Sequence, residues 1–369
     1  MAPAPQSTKQ AKQRIVGIDV ARAVAVIGMI IVNFKVVFGA GGDHAWLKSL
    51  VQVFNGKAAA TFVVLAGVGL ALMTNSAVQD QQRDRLQKAS RKIVNKALLL
   101  FVIGLSFTWI WPADILHYYG IYMLVTLLFI KRSPRQILVG TISLIGLYVI
   151  LILLFSYEAG WDFSTLDYTG FWTIKGFFRN LFYNGFHPVV PWTAFMLFGL
   201  WYGRQDLYDD RFVRRSFWVS LGVFIIIQAV SVLSIQWLSN GSPEAVAELT
   251  PLLGTEPMPP LPLYMLNGIS IAAVTIAACI LLARRFETNR LTHTLRKTGQ
   301  LALTIYAAHV VLGMGAVEGL GPLPLGTYPI EFSVGYALLF SLLCILFAEL
   351  WLRFYASGPL EWLMRKLTN

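Results

Sequence analysis

The sequence predicts an all-α polytopic membrane protein of about ten transmembrane helices, forming a single domain over 1–369. Three observations lead to this fold class. Hydrophobic residues make up 56% of the 369 positions and charged residues only 13%, with a mean hydropathy of +0.61, which is too apolar for a soluble domain of this length. The apolar residues form runs close to the roughly 20 that a membrane helix needs. Most of the basic residues lie in alternate connections between those runs.

Ten apolar runs follow one another along the chain, and an even number of crossings puts both termini on one side of the membrane. The runs occupy 15–39, 56–74, 93–111, 115–130, 136–156, 188–203, 214–238, 263–283, 299–315 and 331–354. The connections on the N-terminal side are rich in Lys and Arg, as in QDQQRDRLQKASRK, KRSPR, RQDLYDDRFVRR and RRFETNRLTHTLRK. The other connections contain few. Because Lys and Arg collect in cytoplasmic loops, both termini and the tail 1–14 are predicted to be cytoplasmic, in a plasma (bacterial inner) membrane.

The connections on the other side are of two kinds. The segment 157–187 holds eight Trp or Phe residues, with Lys175 and Arg179 among them, which is typical of an interfacial amphipathic or re-entrant segment. The segment 239–262 contains EPMPPLP and is expected to be irregular. Cys279 and Cys344 lie within apolar runs, so no disulfide framework is expected. The chain shows no phosphate-binding loop, no metal-ligand spacing and no nucleophile elbow.

The first run carries polar residues along one helical face. Asp19, Arg22, Val26, Met29 and Asn33 recur at intervals of three or four residues, and an ionised side chain near the membrane centre costs about 2.5–3.5 kcal/mol. At a rise of about 1.5 Å per residue, Asn33 lies about 21 Å from Asp19 along the helix axis. The face therefore points into the bundle. It either locks helix packing through an Asp19–Arg22 pair and an Asn33 hydrogen bond, or lines a site across the membrane.

Four of the five histidines fall on the extracytoplasmic side of this topology, where one of them is a candidate general base. They are His44 in GGDHAW, His117 in PADILHYYG, His187 in HPVVPW and His309 in TIYAAH. Asp114 is expected to cap the fourth helix, and a carboxylate beside His117 would orient the imidazole and raise its basicity. Each histidine also has a purely structural explanation: a bond to Asp114, a helix start, a solvated loop or an interhelical hydrogen bond. The residues alone leave enzyme and transporter open, although the absence of a repeat between the halves favours an enzyme.

Six segments, taken in order, resemble the YeiB-like and heparan-α-glucosaminide N-acetyltransferase-like transmembrane acyltransferases. They are RIVGIDVARAVAVIGMIIVNF, FNGKAAATFVVLAGVGLAL, DILHYYGIY, HPVVPW with FGLWYGR, GQLALTIYAAH and GPLEWLMRKLT. The resemblance implies transfer of an acetyl or short acyl group from cytoplasmic acetyl-CoA (acyl-CoA) to a hydroxyl or amine of an extracytoplasmic sugar or glycan. In the animal members the first-span Asn and an external-loop His belong to the site. Asn33 matches that Asn, whereas His44 lies 12 positions before Gly56 instead of a few, which leaves His117 and His187 as alternatives.

The sequence thus predicts an acetyl-CoA-dependent O- or N-acyltransferase that needs no metal. The predicted catalytic residues are Asn33, His44, Asp114, His117 and His187, and the predicted donor-site or lining residues are Asp19, Arg22 and His309. Basic cytoplasmic loops suit the anionic donor, and the Gly-rich AGVGLAL makes a homodimer plausible. The expected partners are acyl-CoA, the glycan acceptor and membrane lipids, with no nucleic acid. The alternatives are a transporter or flippase for a lipid or glycoconjugate, and a purely structural or sensor protein.

Overall fold

The structure is a computed structural model that describes residues 14–368, so the predicted tail lies outside it except for Arg14. The described chain is helical almost throughout, which confirms the all-α class. The first helices are α1 (Val16–Phe38), α2 (Ala45–Gln52), α3 (Lys57–Gln79), α4 (Arg83–Phe107), α5 (Leu116–Leu127), α6 (Pro134–Leu154), α7 (Ile174–Arg179) and α8 (Val189–Tyr202). They are followed by α9 (Asp210–Ser239), α10 (Pro243–Leu253), α11 (Pro262–Arg285), α12 (Arg290–Gln300), α13 (Ala302–Ala308), α14 (Gly315–Leu320), α15 (Ile330–Phe354) and α16 (Pro359–Thr368).

Two short antiparallel strands and two π-helices complete the described elements. The strands are β1 (Trp161–Asp162) and β2 (Asp167–Tyr168), and Trp161 pairs with Tyr168. The π-helices are π1 (Asn180–Asn184) and π2 (His309–Met314). The strands, α7 and π1 all lie in the aromatic segment 157–187, so that segment is a hairpin followed by a short helical hook.

Each of the ten predicted runs contains helical residues, and within residues 14–368 seven helical stretches are long and apolar enough to cross a membrane. The remaining runs correspond to α4, α5 and α8. Helix α4 begins with charged residues, while α5 and α8 have 12 and 14 residues. At about 1.5 Å per residue those two reach about 18 and 21 Å, less than the roughly 30 Å hydrocarbon core. The count of ten spans and the side of the termini therefore stay predictions.

The connections gather at two ends of the bundle, which we call the Asp19 end and the Asn33 end after residues of α1. Connections 80–82, 128–133, 203–209 and 286–289 lie at the Asp19 end, where Arg204 donates to the carbonyl of Arg132. Connections 39–56, 108–115, 155–188, 240–261 and 321–329 lie at the Asn33 end. The basic segments between the runs are thus all at the Asp19 end.

Helix α1 lies inside the bundle, packed against α3, α11, α12 and α15. Asp19, Val26 and Met29 are buried, as expected for a face that points into the bundle. A Cβ on Gly299 of α12 would lie only 1.8 Å from the backbone oxygen of Asp19. This end of α1 is therefore held by a close approach that requires glycine at position 299.

Helices α3 and α8 meet along a line of glycines. A Cβ on Gly67 would lie 2.0 Å from the oxygen of Met196, and one on Gly199 would lie 2.0 Å from the oxygen of Val64. The two backbones are therefore in contact, as glycine allows in helix pairs. The Gly-rich AGVGLAL, which suggested a dimer surface, is used within the chain, and a homodimer stays a prediction.

The segment 239–262 departs from the irregular structure expected of it, because it contains α10. Ser242 accepts a hydrogen bond from the backbone of Ala245, and Pro243 occupies the first helical position. A serine cap followed by proline is a strong helix start, and it outweighs the proline-rich sequence that follows. Cys279 and Cys344 are free and buried, as expected.

Candidate functional site

A chain of hydrogen bonds between α1 and π2 begins at Asn33. The Nδ2 of Asn33 lies 2.9 Å from Nε2 of His309, and Nδ1 of that histidine is bonded to the carbonyl oxygen of Tyr306. Because a carbonyl can only accept, Nδ1 carries the proton and Nε2 accepts from Asn33. Asn33 is thereby oriented, and it keeps Oδ1 and one N–H for another partner.

The chain continues from Tyr306 to Asp114. The Tyr306 hydroxyl donates to Oδ1 of Asp114 at 2.9 Å, and the backbone N–H of Leu116 donates to Oδ2 at 2.8 Å. The predicted N-cap at Asp114 is wrong by one residue, because Ile115 occupies that position of α5 and Asp114 precedes it. Nδ1 of His117 is 3.7 Å from Oδ2, too far for a hydrogen bond, so Asp114 orients Tyr306 rather than His117. Asp114, Tyr306 and His309 are all buried.

His117 and His187 both lie close to Tyr118. The ring of Tyr118 is 3.9 Å from the ring of His117 and 6.0 Å from that of His187, between centroids. The Tyr118 hydroxyl donates to Oδ1 of Asn180 in π1 at 2.5 Å. Both nitrogens of His117 are buried without a hydrogen-bond partner in the described chain. The imidazole of His117 is therefore buried beside the ring of Tyr118.

A cavity of about 160 Å³, the Asn33 cavity, opens beside this network. It is lined by Asn33, Trp111 and His187 among mostly apolar side chains. Within residues 14–368 neither Nε1 of Trp111 nor Nδ1 of His187 has a hydrogen-bond partner. A buried polar group without a partner costs about 1–3 kcal/mol, so both atoms are uncompensated polar groups in the walls of the cavity.

A larger cavity of about 730 Å³, the Asp19 cavity, lies at the opposite end of α1. Asp19 accepts from Nε of Arg14 at 2.6 Å and from a terminal nitrogen of Arg22 at 3.0 Å. Asp80 and Asp206 also line the cavity, and the backbone N–H of Tyr208 donates to Asp206 at 3.0 Å. Two oriented guanidinium groups thus face a space of ligand size.

His44 stands apart from both cavities. It directly precedes α2, and Nδ1 is paired with the carboxylate of Glu331 at the start of α15. Its side chain is 57% exposed. Because α2 occupies the residues between His44 and Gly56, the histidine is held away from the Asn33 cavity. The structure therefore brings together Asn33, Asp114, His117, His187 and His309, places Asp19 and Arg22 at the other cavity, and leaves His44 outside.

Sequence reasoning did not identify Tyr306, Trp111 or Asn180. The sequence spacing could have identified Tyr306, because it precedes His309 by three residues and so lies on the same helical face. Trp111 and Asn180 lie in long connections whose course no periodicity sets. The π-helices also gave no signal, although such segments are frequent at functional sites and here π2 begins at His309.

We expect His187 to make the stability of the protein depend on pH. Burial, together with the nearby His117, lowers the pKa of His187 from 6.5 to about 3. Between these values the unfolded chain binds a proton at this residue that the folded chain does not. The free energy of unfolding therefore falls as the pH decreases, with a slope approaching about 1.4 kcal/mol per pH unit.

The measurement is thermal unfolding in detergent between pH 7 and pH 5. His187→Gln should reduce the fall in midpoint across this range, whereas His293→Gln, which removes an exposed histidine, should retain the wild-type dependence. An unchanged pH dependence in His187→Gln contradicts the expectation.

Two family models match the chain. The one described as heparan-alpha-glucosaminide N-acetyltransferase, catalytic, matches residues 14–239, more than half of the sequence. The chain belongs to this family. The other, described as a protein of unknown function (DUF418), matches residues 203–369. The uncharacterized protein YeiB of Escherichia coli (strain K12) is similar, with 24% identity over 402 aligned residues that cover 96% of each chain. The resemblance stated from the sequence is confirmed.

Most of the candidate site residues lie within the N-acetyltransferase match. Asn33, Asp114, His117 and His187 lie within it, as do Asp19 and Arg22 of the Asp19 cavity. Tyr306 and His309 lie in the region of the DUF418 match. The network that orients Asn33 therefore uses residues from both matched regions of this acetyltransferase-family chain.

Proposed function

We propose that the protein is a membrane acyltransferase that moves an acetyl or short acyl group from cytoplasmic acyl-CoA to a hydroxyl or amine of an extracytoplasmic sugar or glycan. The observation that carries the proposal is that one buried helix, α1, lines two cavities at its opposite ends. The donor enters the Asp19 cavity and the acceptor enters the Asn33 cavity. Membership of an acetyltransferase family supports this assignment.

Arg22 and Arg14 are the residues that suit the donor. Arg22 uses one nitrogen for Asp19, which leaves most of its five N–H donors for an anionic group. Guanidinium groups held in place recognise phosphate with two parallel hydrogen bonds. The volume of about 730 Å³ is within the roughly 300–1,000 Å³ of small-molecule sites. The neighbouring basic segments add long-range attraction for the same anion.

One face of α3 offers a route between the cavities. Phe62, Ala66, Gly69 and Met73 recur at helical spacing and are only partly buried. A Cβ on Gly69 would lie 3.5 Å from the Arg22 guanidinium, so the small residue keeps space open beside Arg22. The same helix lines the Asp19 cavity with Ser76 and the Asn33 cavity with Ala59. An extended acyl arm has a continuous helix face to follow.

Asn33 and His187 are the catalytic residues in this proposal. Acyl transfer forms a bond from the acceptor oxygen or nitrogen to the acyl carbon, breaks the carbon–sulfur bond, and moves the acceptor proton to the leaving thiolate. His187 lines the cavity and takes that proton as general base. The remaining N–H of Asn33 stabilises the negative charge that develops on the carbonyl oxygen. His309 is a positioning residue, because it acts through Asn33.

Acetyl-CoA binding to purified protein in detergent, measured by calorimetry with CoA alone for comparison, tests the proposal. We expect saturable binding, and we expect Arg22→Ala to weaken it by about tenfold through the loss of a charge-assisted contact. Arg135→Ala removes an exposed arginine at the same end that does not line the cavity, and should bind as wild type does.

Transfer of labelled acetyl groups to glucosamine then tests the reaction. Folded protein that shows no saturable acetyl-CoA binding contradicts the proposal and favours the transporter or flippase. Equal weakening by Arg22→Ala and Arg135→Ala would assign binding to general surface charge and contradict the donor site.

A further inference from the structure

An aromatic cleft of about 550 Å³ lies at the Asn33 end, and the transfer mechanism does not use it. Its walls come from the connection between α4 and α5 and from the segment between α6 and α8. It is lined by Thr108, Trp109, Pro112, residues 167–173, Asn180 and Phe186. The cleft therefore belongs to the same group of connections that surrounds the Asn33 cavity.

Two tryptophans form a flat platform at this cleft. The rings of Trp109 and Trp172 are stacked with centroids 5.1 Å apart and an angle of 21° between planes. Phe171 packs edge-on against Trp172 at 4.9 Å. Trp109 is 75% exposed and Trp172 is 57% exposed. Two tryptophans far apart in sequence thus come together at the cleft and leave part of their stacked rings uncovered.

The platform is accompanied by polar groups. Asp167 and Asn180 line the same cleft, and Asp167 supplies an exposed carboxylate. A sugar ring has an apolar C–H face and a rim of hydroxyl groups, so it needs this combination of a flat aromatic surface and hydrogen-bonding groups. A lipid chain would gain nothing from the carboxylate.

The segment that forms the cleft is fixed in place by hydrogen bonds centred on Asn184. Its backbone oxygen accepts from Trp161 Nε1 at 2.5 Å, and its Oδ1 accepts from the Tyr168 hydroxyl at 2.7 Å. Arg179 Nε donates to the same hydroxyl oxygen at 2.6 Å. A binding surface formed before the ligand arrives loses less entropy on binding. The hydrogen bonds therefore hold the cleft in its shape before any ligand binds.

The cleft adjoins the Asn33 cavity. Phe186 lines both spaces, and Leu166 of the hairpin lines the Asn33 cavity while its neighbour Asp167 lines the cleft. Asn180 connects the cleft to Tyr118, whose ring lies close to those of His117 and His187. A ligand longer than one sugar can occupy both spaces by passing over Phe186.

We propose that the aromatic cleft binds the sugar units that follow the acylated unit, so that the acceptor is an oligosaccharide or glycan rather than a free monosaccharide. This inference rests on the proposed acyl transfer. The exposed surface of the tryptophan pair packs against these sugars, and Asp167 bonds their hydroxyl groups. The affinity of the protein for its acceptor is then higher for an acceptor with more sugar units.

The test compares glucosamine with its β-linked trimer as acceptors, using full-length protein in detergent. The wild type should have a lower KM for the trimer. Trp172→Ala should raise the KM for the trimer by about three- to tenfold, as expected for loss of one aromatic contact, without changing the KM for glucosamine. Trp172→Phe should recover most of the effect. Trp46→Ala, which removes an exposed tryptophan at the same end outside the cleft, should behave as wild type.

Tryptophan fluorescence on addition of the trimer, without acyl donor, separates this inference from the function. Trimer binding that depends on Trp172 supports the cleft even when no acceptor is acylated, in which case only the proposed function fails. Acyl transfer with the same KM for both acceptors, or with a trimer KM unaffected by Trp172→Ala, overturns the cleft and leaves the function standing. An equal loss of affinity for the trimer in Trp46→Ala and Trp172→Ala would show a general effect of interfacial tryptophans and would overturn the role of the cleft. A trimer that does not bind at all would overturn it too.

Discussion

Asn33→Ala should lower kcat for acyl transfer by about 10²–10³, the usual effect of removing one oxyanion-stabilising donor. The affinity for acetyl-CoA should stay within about twofold, since Arg22 lies about 16–17 Å from Asn33 along α1. The loss appears in kcat because Asn33 meets the carbonyl oxygen only as charge develops there. Single-turnover acyl transfer with saturating donor, together with calorimetric donor affinity, measures both effects.

Two further variants isolate the contribution of the amide N–H. Asn33→Asp preserves the size of the side chain and removes its donors, so it should be about as inactive as Asn33→Ala. Val36→Ala changes an apolar residue that lines the same cavity and should keep kcat within about threefold, since no charge-stabilising group is lost. A fully active Asn33→Asp enzyme would exclude the proposed role of Asn33.

Asp114→Ala should cause the largest loss of stability among single changes in the network. The substitution leaves the Tyr306 hydroxyl and the Leu116 N–H without an acceptor in a buried site. Each unpaired buried donor costs about 1–3 kcal/mol, so we expect a loss of about 2–6 kcal/mol in the free energy of unfolding. Unfolding in detergent followed by circular dichroism measures it. Asp43→Asn, which alters an exposed acid at the same end, should lie within about 0.5 kcal/mol of wild type.

The bond between Asp114 and Tyr306 can be tested by a double-mutant cycle. In Asp114→Asn the side chain keeps one carbonyl oxygen, so it can accept from only one of its two donors. Tyr306→Phe should therefore cost less in the Asp114→Asn background than in the wild type, with a coupling of about 0.5 kcal/mol or more. If the losses in the free energy of unfolding caused by the two substitutions simply add in the double variant, the hydroxyl and the carboxylate act independently.

The fold was predictable where hydrophobicity determines it. Apolar runs locate the membrane helices because a bilayer forces backbone groups to bond within a helix. Helix α10 was missed because its start depends on a local cap at Ser242, whereas the neighbouring prolines suggested a loop. The apolar runs are longer than helices α5 and α8. The reason is that an apolar run indicates which residues are buried and does not show where the helix begins or ends.

The site was predictable in part for a similar reason. Asn33 and His309 were singled out because a polar residue within a span needs a partner, yet their pairing joins residues 276 positions apart, and no periodicity specifies such a contact. His44 was included through family resemblance and position in a loop. Its distance from the cavity depends on α2, a short helix whose effect appears only in three dimensions.

The separation between Asn33 and its partner also has a consequence for biosynthesis. Asp19 finds Arg14 and Arg22 within five residues, so it is neutralised as soon as the first span is made. Asn33 must wait for His309, 276 residues later, which takes about 14–55 s at roughly 5–20 residues per second. Until then the first span holds an amide without its final partner. A fragment ending at residue 239 would never acquire that partner, although it contains the whole acetyltransferase-family match.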